Sequence, residues 1–171
     1  AVGQGSFASR MIRVLTPKDA EIWRKLRLEM LSNDPTMFGS TLADVVDQPV
    51  AYFQEFLTNV TILGAFDGEL IGSIGWHIGR SATTAHSGNV IAAYVQPEAR
   101  RVGHLGRLID ALISDATGQV VQLELRVVSS NVGAIKAYEA KGFETCGQIP
   151  RALCHEGVYS DELHMVRRLD A

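Results

Sequence analysis

A basic turn that contains two glycines follows an apolar, strand-like segment in the second half of the chain. The segment ends in Ala93, Tyr94 and Val95, and the turn contains Arg100, Arg101, Val102, Gly103, His104, Leu105, Gly106 and Arg107. An apolar helical pattern starts at this point, and the first N–H groups of a helix lack intrahelical acceptors and carry partial positive charge. The turn therefore predicts a site for phosphate or pyrophosphate groups, which glycine lets the backbone approach closely.

The spacing of these glycines excludes two common phosphate-binding motifs. It fits neither GxxxxGK[ST], the P-loop, nor GxGxxG, the dinucleotide fingerprint. A glycine-containing turn between a strand and a helix is by itself more often only a turn. The prediction of a phosphate site therefore depends on a second pattern further along the chain.

That second pattern is a helix that carries Asn131 and Tyr138 on one face. Asn131 lies where an N-cap belongs, and Ile135, Tyr138 and Gly142 follow it by four, seven and eleven residues. Two helical turns separate Asn131 from Tyr138 by roughly 10 Å along the axis, so one elongated ligand can contact both. The alternative is that Asn131 is only a cap and that Tyr138 is a core aromatic residue with its hydroxyl group at the surface.

The N-terminal elements that position these features begin with a strand at residues 12–15. Thr16, Pro17 and Asp19 are then typical of the N-cap, first and third positions of a helix that ends near residues 33–35. A loop at 38–40 and a second helix at 49–57 follow. Runs at 60–66 and 70–78 around Asp67-Gly68 predict a β-hairpin.

The later elements alternate between strands and helices. A loop is predicted at 81–88, strands at 89–95, 121–127 and 159–167, and helices at 105–117 and 131–141. The order is β, α, an optional α, three β, α, β, α, β and an optional further β. This order predicts an α/β fold with helices packed on a mixed sheet.

Composition restricts both the architecture and the partners. A chain of 171 residues that is 46% hydrophobic can bury one core but is too short for two ordinary domains. Its net charge of -3 argues against a nucleic-acid partner. No apolar run approaches the roughly 20 residues of a membrane span, and no signal-peptide pattern is present, so we expect a cytoplasmic protein without a membrane partner.

Two short features are interpreted without a functional role. The cysteines Cys146 and Cys154 lack the spacing of a zinc site, and we predict buried structural thiols and no bound metal. Residues 1–10 are rich in Gly and Ser, precede Met11 and resemble an expression-vector remnant. We therefore expect residues 1–10 to be disordered and residues 11–171 to form one domain.

Both patterns resemble the signature blocks of the GNAT superfamily of acyl-CoA N-acyltransferases. The first block contains Val95, Pro97, Arg100 and Gly103, and the second contains Asn131, Ala134, Tyr138, Gly142, Phe143 and Gly147. The resemblance extends over residues 11–169. It implies a single GNAT-like α/β domain, with a mixed central sheet of about six or seven strands flanked by helices and a splayed cleft for acyl-CoA.

The resemblance also implies a co-substrate and its ligands. Acetyl-CoA would bind its pyrophosphate at residues 100–107 and lay its pantetheine arm between the strand that ends at Val95 and the strand at 121–127. Asn131 and Ala134 would contact this arm, and Tyr138 would lie near the sulfur. The chain departs from the family at Leu105, where glycine or alanine is usual, and the site is retained if the Leu105 side chain points away from the phosphates.

The resemblance implies that the chain is an N-acetyltransferase that acts on a primary amine of a small molecule or peptide. We assign Tyr138 as the acid that protonates the thiolate, and a backbone N–H near residues 93–95 as the group that polarises the acetyl carbonyl. No glutamate occupies the strand at 89–95, where many relatives have their base. The weaker candidates for the base are His77, His86, Asp161 and Glu162; none is assigned, and a water chain is the alternative.

The acceptor, a partner of unknown identity, is expected between residues 30–41, residues 79–88 and the C-terminal strand. Phe38, Trp76 and Tyr159 are candidates for its wall, with core packing as the alternative. The competing function is a non-catalytic acyl-CoA-binding sensor or regulatory module, which the missing glutamate and Leu105 would suit. Family analogy further suggests a homodimer.

Overall fold

The apolar runs of the sequence form one seven-stranded sheet in the computed structural model, which describes residues 10–170. The strand order is β1-β2-β3-β4-β5-β7-β6; β4 and β5 are parallel, and the other neighbouring pairs are antiparallel. The strands are β1 (Arg10–Val14), β2 (Thr61–Asp67), β3 (Glu69–Ile78), β4 (Ser87–Val95), β5 (Gln122–Val128), β6 (Glu144–His155) and β7 (Val158–Arg168). The predicted mixed sheet in an α/β fold is thus confirmed.

Helices cover both faces of this sheet. They are α1 (Ala20–Asn33), α2 (Leu42–Val45), α3 (Val50–Asn59), α4 (His104–Ala116) and α5 (Val132–Ala140). The side chains of α1 and α3 bury one apolar cluster against the sheet, and those of α4 and α5 bury another on the opposite face. Helix α2 was not predicted, because a helix of four residues is too short to show an apolar period.

The turn from β1 into α1 is closed by its own side chains. The Asp19 carboxylate accepts a hydrogen bond from the Thr16 N–H at 2.8 Å and forms two more with the Arg13 guanidinium at 2.8 and 2.9 Å. A short 3-10 turn, Pro17–Asp19, leads directly into α1. The predicted cap, with proline first and an acid third, is confirmed.

The hairpin of β2 and β3 turns at Gly68, where the sequence predicted it. Gly68 has φ of +75°, a conformation that glycine adopts without steric penalty, and it lies between the paired residues Asp67 and Glu69. The hairpin places β3 beside β4, and β4 is the strand on which the candidate site is built.

Strands β4 and β5 are paired at one end and separated at the other. Their ladder consists of three pairs, Ser87 with Gln122, Gly88 with Leu123 and Asn89 with Glu124. Close packing holds this end, since a Cβ on Gly88 would lie 2.8 Å from both Leu123 Cδ2 and Trp76 Cε3. Beyond Asn89 the strands diverge, which produces the predicted splayed cleft.

Two predictions about individual segments are wrong. The loop predicted at 81–88 ends earlier, because Ser87 and Gly88 are already part of β4. The cysteines Cys146 and Cys154 are exposed, because both lie on β6, the strand at the edge of the sheet. The sequence also gave no position for β6, whose residues are mostly polar and exposed.

The interpretation of residues 1–10 as a disordered vector remnant falls almost entirely outside the described residues. Only Arg10 is described, and its backbone pairs with Asp67 as the first residue of β1. None of the helices in residues 10–170 combines the length and the apolar character needed to cross a membrane.

Candidate active site

The divergence of β4 and β5 opens a cavity of about 550 Å³. Its wall includes residues from the ends of both strands, from the turn before α4 and from one face of α5. The structure brings most of the predicted residues together here: Ala93, Tyr94, Val95, Arg100, Arg101, Gly103, His104, Leu105, Gly106, Asn131, Ala134 and Tyr138 line the cavity. Val102 and Arg107 do not line it; Val102 is exposed, and Arg107 Nη2 lies 3.0 Å from His104 Nδ1.

The turn before α4 leaves the start of this helix open. Arg101 and Gly103 have left-handed backbones, with φ of +67° and +88°, and Gly103 at the N-cap has no side chain that could cap the helix. The first backbone bond into the helix runs from Arg107 N to Gly103 O at 3.1 Å. The N–H groups of Leu105 and Gly106 therefore have no acceptor within the helix, and both residues line the cavity.

Gly106 keeps this helix start accessible. A Cβ at Gly106 would meet only Lys141 Cε, at 3.5 Å, so the fold itself does not require glycine there. The neighbouring Leu105 is half-buried and packs against the apolar cluster beneath α4 and α5, while its residue still borders the cavity. The departure from the family pattern at Leu105 thus places an apolar side chain against the core.

Arg100 has a structural role that the sequence did not reveal. Its Nε donates to Val95 O at 2.8 Å, and its Nη2 pairs with Asp34 at 2.9 Å. Arg100 lines the cavity, where we predicted it as part of the cofactor site, and it also fastens the turn to the end of β4 and to the end of α1. Asp34 is 66 residues away, a pairing that sequence spacing cannot indicate. Arg101 is exposed at the turn.

Helix α5 places its two predicted residues as the pattern indicated. The Asn131 side chain accepts from the Ala134 N–H at 3.3 Å and caps the helix. Tyr138 is buried, packs edge-on against Phe143 with ring centres 5.4 Å apart, and borders the cavity. Burial raises the pKa of the Tyr138 phenol, so it stays protonated at neutral pH. The alternative interpretation, in which the Tyr138 hydroxyl group lies at the surface, does not fit this buried side chain.

A β-bulge in β4 was missed. Ala92 has φ of +53°, and the pairing with β3 shifts register between Ser73 with Tyr94 and Gly75 with Ile91. The buried Ser73 hydroxyl donates to Ala92 O at 2.9 Å and satisfies the displaced carbonyl. The bulge turns β4 at the point where it leaves β5. Its sequence is an unbroken apolar run, so no alternation could indicate the extra residue.

Tyr94 lines the cavity at the end of β4. Its ring lies in the apolar cluster of α1 and α3, where its hydroxyl donates to Glu29 Oε2 and accepts from Asn33 Nδ2, both at 3.0 Å. Burial, together with Glu29, raises the pKa of Tyr94 to about 12, while the Asn33 bond acts in the opposite direction. This hydroxyl therefore anchors α1 to β4.

None of the four weak candidates for the base lines the cavity. His77 lies in a separate depression together with Arg80, and His86 is exposed in the loop before β4. The Asp161 carboxylate accepts from the Arg151 N–H at 2.9 Å and supports an irregular part of β6. Glu162 is half-buried on β7.

The three candidates for the acceptor wall separate in the structure. Phe38 lines the cavity, as predicted. Trp76 is buried against α4, where its Nε1 donates to Asp115 at 2.8 Å, so core packing is correct for this residue. Tyr159 is exposed near the tip of the β6–β7 hairpin, with Arg151 Cζ 5.0 Å from its ring centre.

Solved structures share this fold. An acetyltransferase of the GNAT family from Streptococcus pneumoniae superposes with a TM-score of 0.83 and 21% identity, over 94% of this chain and 99% of that chain. A ribosomal-protein-alanine N-acetyltransferase from Brucella melitensis gives 0.81 and 23%, over 93% and 99%. A phosphinothricin acetyltransferase from Sinorhizobium meliloti in complex with AcCoA gives 0.78 and 22%, over 94% and 88%.

At these identities the superpositions show the fold alone. No curated protein sequence matches this chain. Residues 27–143, more than half of the sequence, match the model of the acetyltransferase (GNAT) family. This stretch includes both the turn before α4 and helix α5, which form the cleft. The chain therefore belongs to the acetyltransferase (GNAT) family.

Proposed function

We propose that this protein is an N-acetyltransferase that moves an acetyl group from acetyl-CoA to a primary amine of a small molecule or peptide, by direct attack in a ternary complex. The observation that carries the proposal is one cleft with an open helix start at α4 and a protonated, buried Tyr138 on its wall. The AcCoA in the Sinorhizobium meliloti structure supports the choice of co-substrate.

The cleft residues fit the parts of acetyl-CoA in chain order. The N–H groups of Leu105 and Gly106 at the start of α4 would hold the pyrophosphate, with Arg101 as a nearby cation. The separated ends of β4 and β5 would hold the pantetheine arm, with Asn131 and Ala134 along α5. Acetyl-CoA supplies the thioester from which the acetyl group is transferred. Within residues 10–170 no cluster of side chains is arranged to hold a metal ion, and the proposed chemistry uses none.

Two groups of the chain would act on the reaction. Tyr138 would donate its proton to the departing sulfur, because its phenol borders the cleft and is protonated at neutral pH. A backbone N–H of residues 93–95, next to the bulge, would polarise the acetyl carbonyl. Since none of the four base candidates lines the cleft, we propose that water carries the proton away from the attacking amine.

A binding measurement and a turnover measurement test the proposal separately. Millimolar acetyl-CoA should stabilise the folded protein by about 4 kcal/mol if its Kd is micromolar, which a thermal shift detects. Release of the CoA thiol is then followed with a panel of primary amines. A thermal shift without thiol release for any amine would support the non-catalytic sensor instead, and no shift would exclude both functions.

Tyr138→Phe tests the assigned acid. It should lower kcat by about 100-fold or more, the usual contribution of a general acid, because phenylalanine removes only the hydroxyl group. The Kd for acetyl-CoA should stay within about twofold, since Phe preserves the ring packing on Phe143. An unchanged kcat would remove Tyr138 from the mechanism.

The proposal includes a cellular location, the class of partner and an oligomeric state. Two exposed free thiols, Cys146 and Cys154, favour a reducing compartment, so we propose the cytoplasm as its location. The acidic net charge supports the absence of a nucleic-acid partner. We also propose a homodimer; light scattering after size exclusion measures its mass directly, and a monomer mass at micromolar concentration would contradict it.

A further inference from the structure

The cleft has a second side, away from α4 and α5. The residues that line it there are Asp34, Met37 and Phe38, which follow α1, and Arg126 of β5. The neighbours of Arg126 along the strand, Leu125 and Val127, are buried in the cluster of α4 and α5. Since side chains alternate along a strand, Arg126 projects to the opposite face of the sheet. An acceptor that approaches from this side would therefore meet Arg126.

The charge on this side of the cleft is unbalanced. Asp34, the carboxylate in the lining, is already paired with Arg100 at 2.9 Å. The Arg126 side chain is exposed, and it has neither an ion pair nor a hydrogen bond with any residue in the described part of the chain. The nearby Glu124 lies 3.8 Å from His164 Nε2, across β5 and β7. Arg126 is thus a free cation in a cleft of a protein whose net charge is negative.

A second arginine, for which residues 10–170 provide no carboxylate partner, lies behind Phe38. Arg27 is half-buried, its Cζ lies 5.9 Å from the centre of the Phe38 ring, and its Nη1 is 3.2 Å from Met30 Sδ. Burial lowers the pKa of Arg27, the direction expected for a cation that has lost water without gaining a counter-ion. A buried charge of this kind is unfavourable until an anion approaches. Phe38 therefore borders the cleft on one side and an uncompensated cation on the other.

An acceptor with its own negative charge would supply the counter-charge that Arg126 lacks in the cleft. A guanidinium binds a carboxylate through two parallel hydrogen bonds, which fix orientation as well as adding affinity. We propose that the acceptor is a small amine that also carries a carboxylate, as free amino acids do, and that Arg126 binds this carboxylate. Met37 and Phe38 offer an apolar surface for the rest of the acceptor. This inference rests on the proposed acetyltransferase function and narrows its substrate class.

Matched pairs of acceptors test the inference. Thiol release from acetyl-CoA is measured with the L-amino acids and with their primary amides, which keep the amine and the side chain but lose the carboxylate charge. The acids should exceed their amides by about tenfold or more in kcat/KM, the effect of one charge-assisted bond of about 1.4 kcal/mol. Arg126→Gln should remove this preference, and Arg126→Lys should keep part of it.

Two controls separate recognition from folding. Arg126→Gln should retain the acetyl-CoA thermal shift of the unchanged protein, because its effect is on the acceptor side. Arg80→Gln, an exposed arginine at the opposite end of the sheet, should retain the preference for acids.

The outcomes also separate this inference from the proposed function. Amides that react as fast as acids, a preference that survives in Arg126→Gln, or turnover with neutral amines alone would each overturn the inference and leave the acetyltransferase function standing. An acetyl-CoA thermal shift without thiol release from any amine would exclude turnover, and the acceptor class would fall with it.

Discussion

Two strand-to-helix turns in this protein begin alike and end differently. The turn from β1 to α1 and the turn from β4 to α4 both contain a short 3-10 segment that opens with proline, Pro17 in one and Pro97 in the other. The third residue of the first segment is Asp19, whose carboxylate caps the turn. The third residue of α4 is Gly106, which has no side chain, and the N-cap Gly103 has none either.

The difference shows how one local arrangement serves stability in one place and binding in another. Backbone N–H groups at a helix start need an acceptor, and Asp19 supplies one from within the chain. At α4 no side chain of the described residues caps the helix, and the residues of the helix start line the cleft instead. A helix start that its own sequence leaves uncapped, beside a cavity, is prepared for a ligand anion.

The largest expected effect comes from moving the acid of the first turn into the second. Gly106→Asp places a carboxylate at the start of α4 and should weaken acetyl-CoA binding by about 100-fold, since like charges brought together cost several kcal/mol. The thermal stability should be equal or higher, because an acid in the first turn contributes about 0.3 to 1 kcal/mol. Calorimetric titration and a thermal melt measure the two quantities.

Gly106→Ala is the matched control for this substitution. Its Cβ would make an ordinary contact with Lys141 Cε, so the fold should tolerate it. If alanine weakens acetyl-CoA binding as much as aspartate does, the effect is steric and the comparison of capped and uncapped turns fails.

The converse substitution removes the acid from the first turn. Asp19→Asn should lower the free energy of unfolding by about 1 to 2 kcal/mol, because the side chain is mostly buried and loses its charged bonds to Arg13. The Kd for acetyl-CoA should not change. Urea denaturation measures the first and titration the second; a weaker Kd would mean that the two turns are coupled.

The pH dependence of stability tests whether the charge of Asp19 stabilises the first turn. The hydrogen bonds from Arg13, with smaller help from Thr16, lower the pKa of Asp19 to about 2. A carboxyl with a lowered pKa stabilises the fold above its unfolded pKa of about 4 and loses this contribution as pH falls through its folded pKa. The stability difference between the unchanged protein and Asp19→Asn should therefore be full at pH 6 and shrink towards pH 2. A difference that stays constant would contradict the assignment.

The smallest expected effect is at the cap of the second turn. Gly103→Ala forces a left-handed backbone on alanine and should destabilise the fold by about 1 kcal/mol. Acetyl-CoA binding should weaken by about fivefold as the turn distorts. Gly118→Ala, with a similar φ of +87° but outside the cleft, is the control and should change stability alone.

The sequence was most informative where local chemistry decides the structure. The cap at Thr16 and Asp19, the turn at Gly68 and the cap at Asn131 each depend on residues a few positions apart, and all three are confirmed. Each family block is likewise a single continuous turn or helix start, so its residues stay together in the fold. Both blocks line the same cleft.

What the sequence could not show depends on residues that are distant in the chain. Arg100 forms an ion pair with Asp34, and the Ala92 carbonyl accepts a hydrogen bond from Ser73. Neither partner is near in sequence. The exposure of Cys146 follows from the position of β6 at the sheet edge, a matter of strand order. The unpaired state of Arg126 likewise depends on which side chains the folded sheet places around it.

The separation of β4 from β5 also determines how quickly backbone hydrogens exchange with water. At the paired end of β4 and β5, the ladder from Ser87 to Asn89 protects its amides as the rest of the sheet does. Past Asn89 and Glu124, the amides on the facing edges have no partner strand and should exchange rapidly. A molecule lying in the cleft would shield them, so deuterium uptake along two neighbouring strands would report occupancy of the cleft without any measurement of turnover.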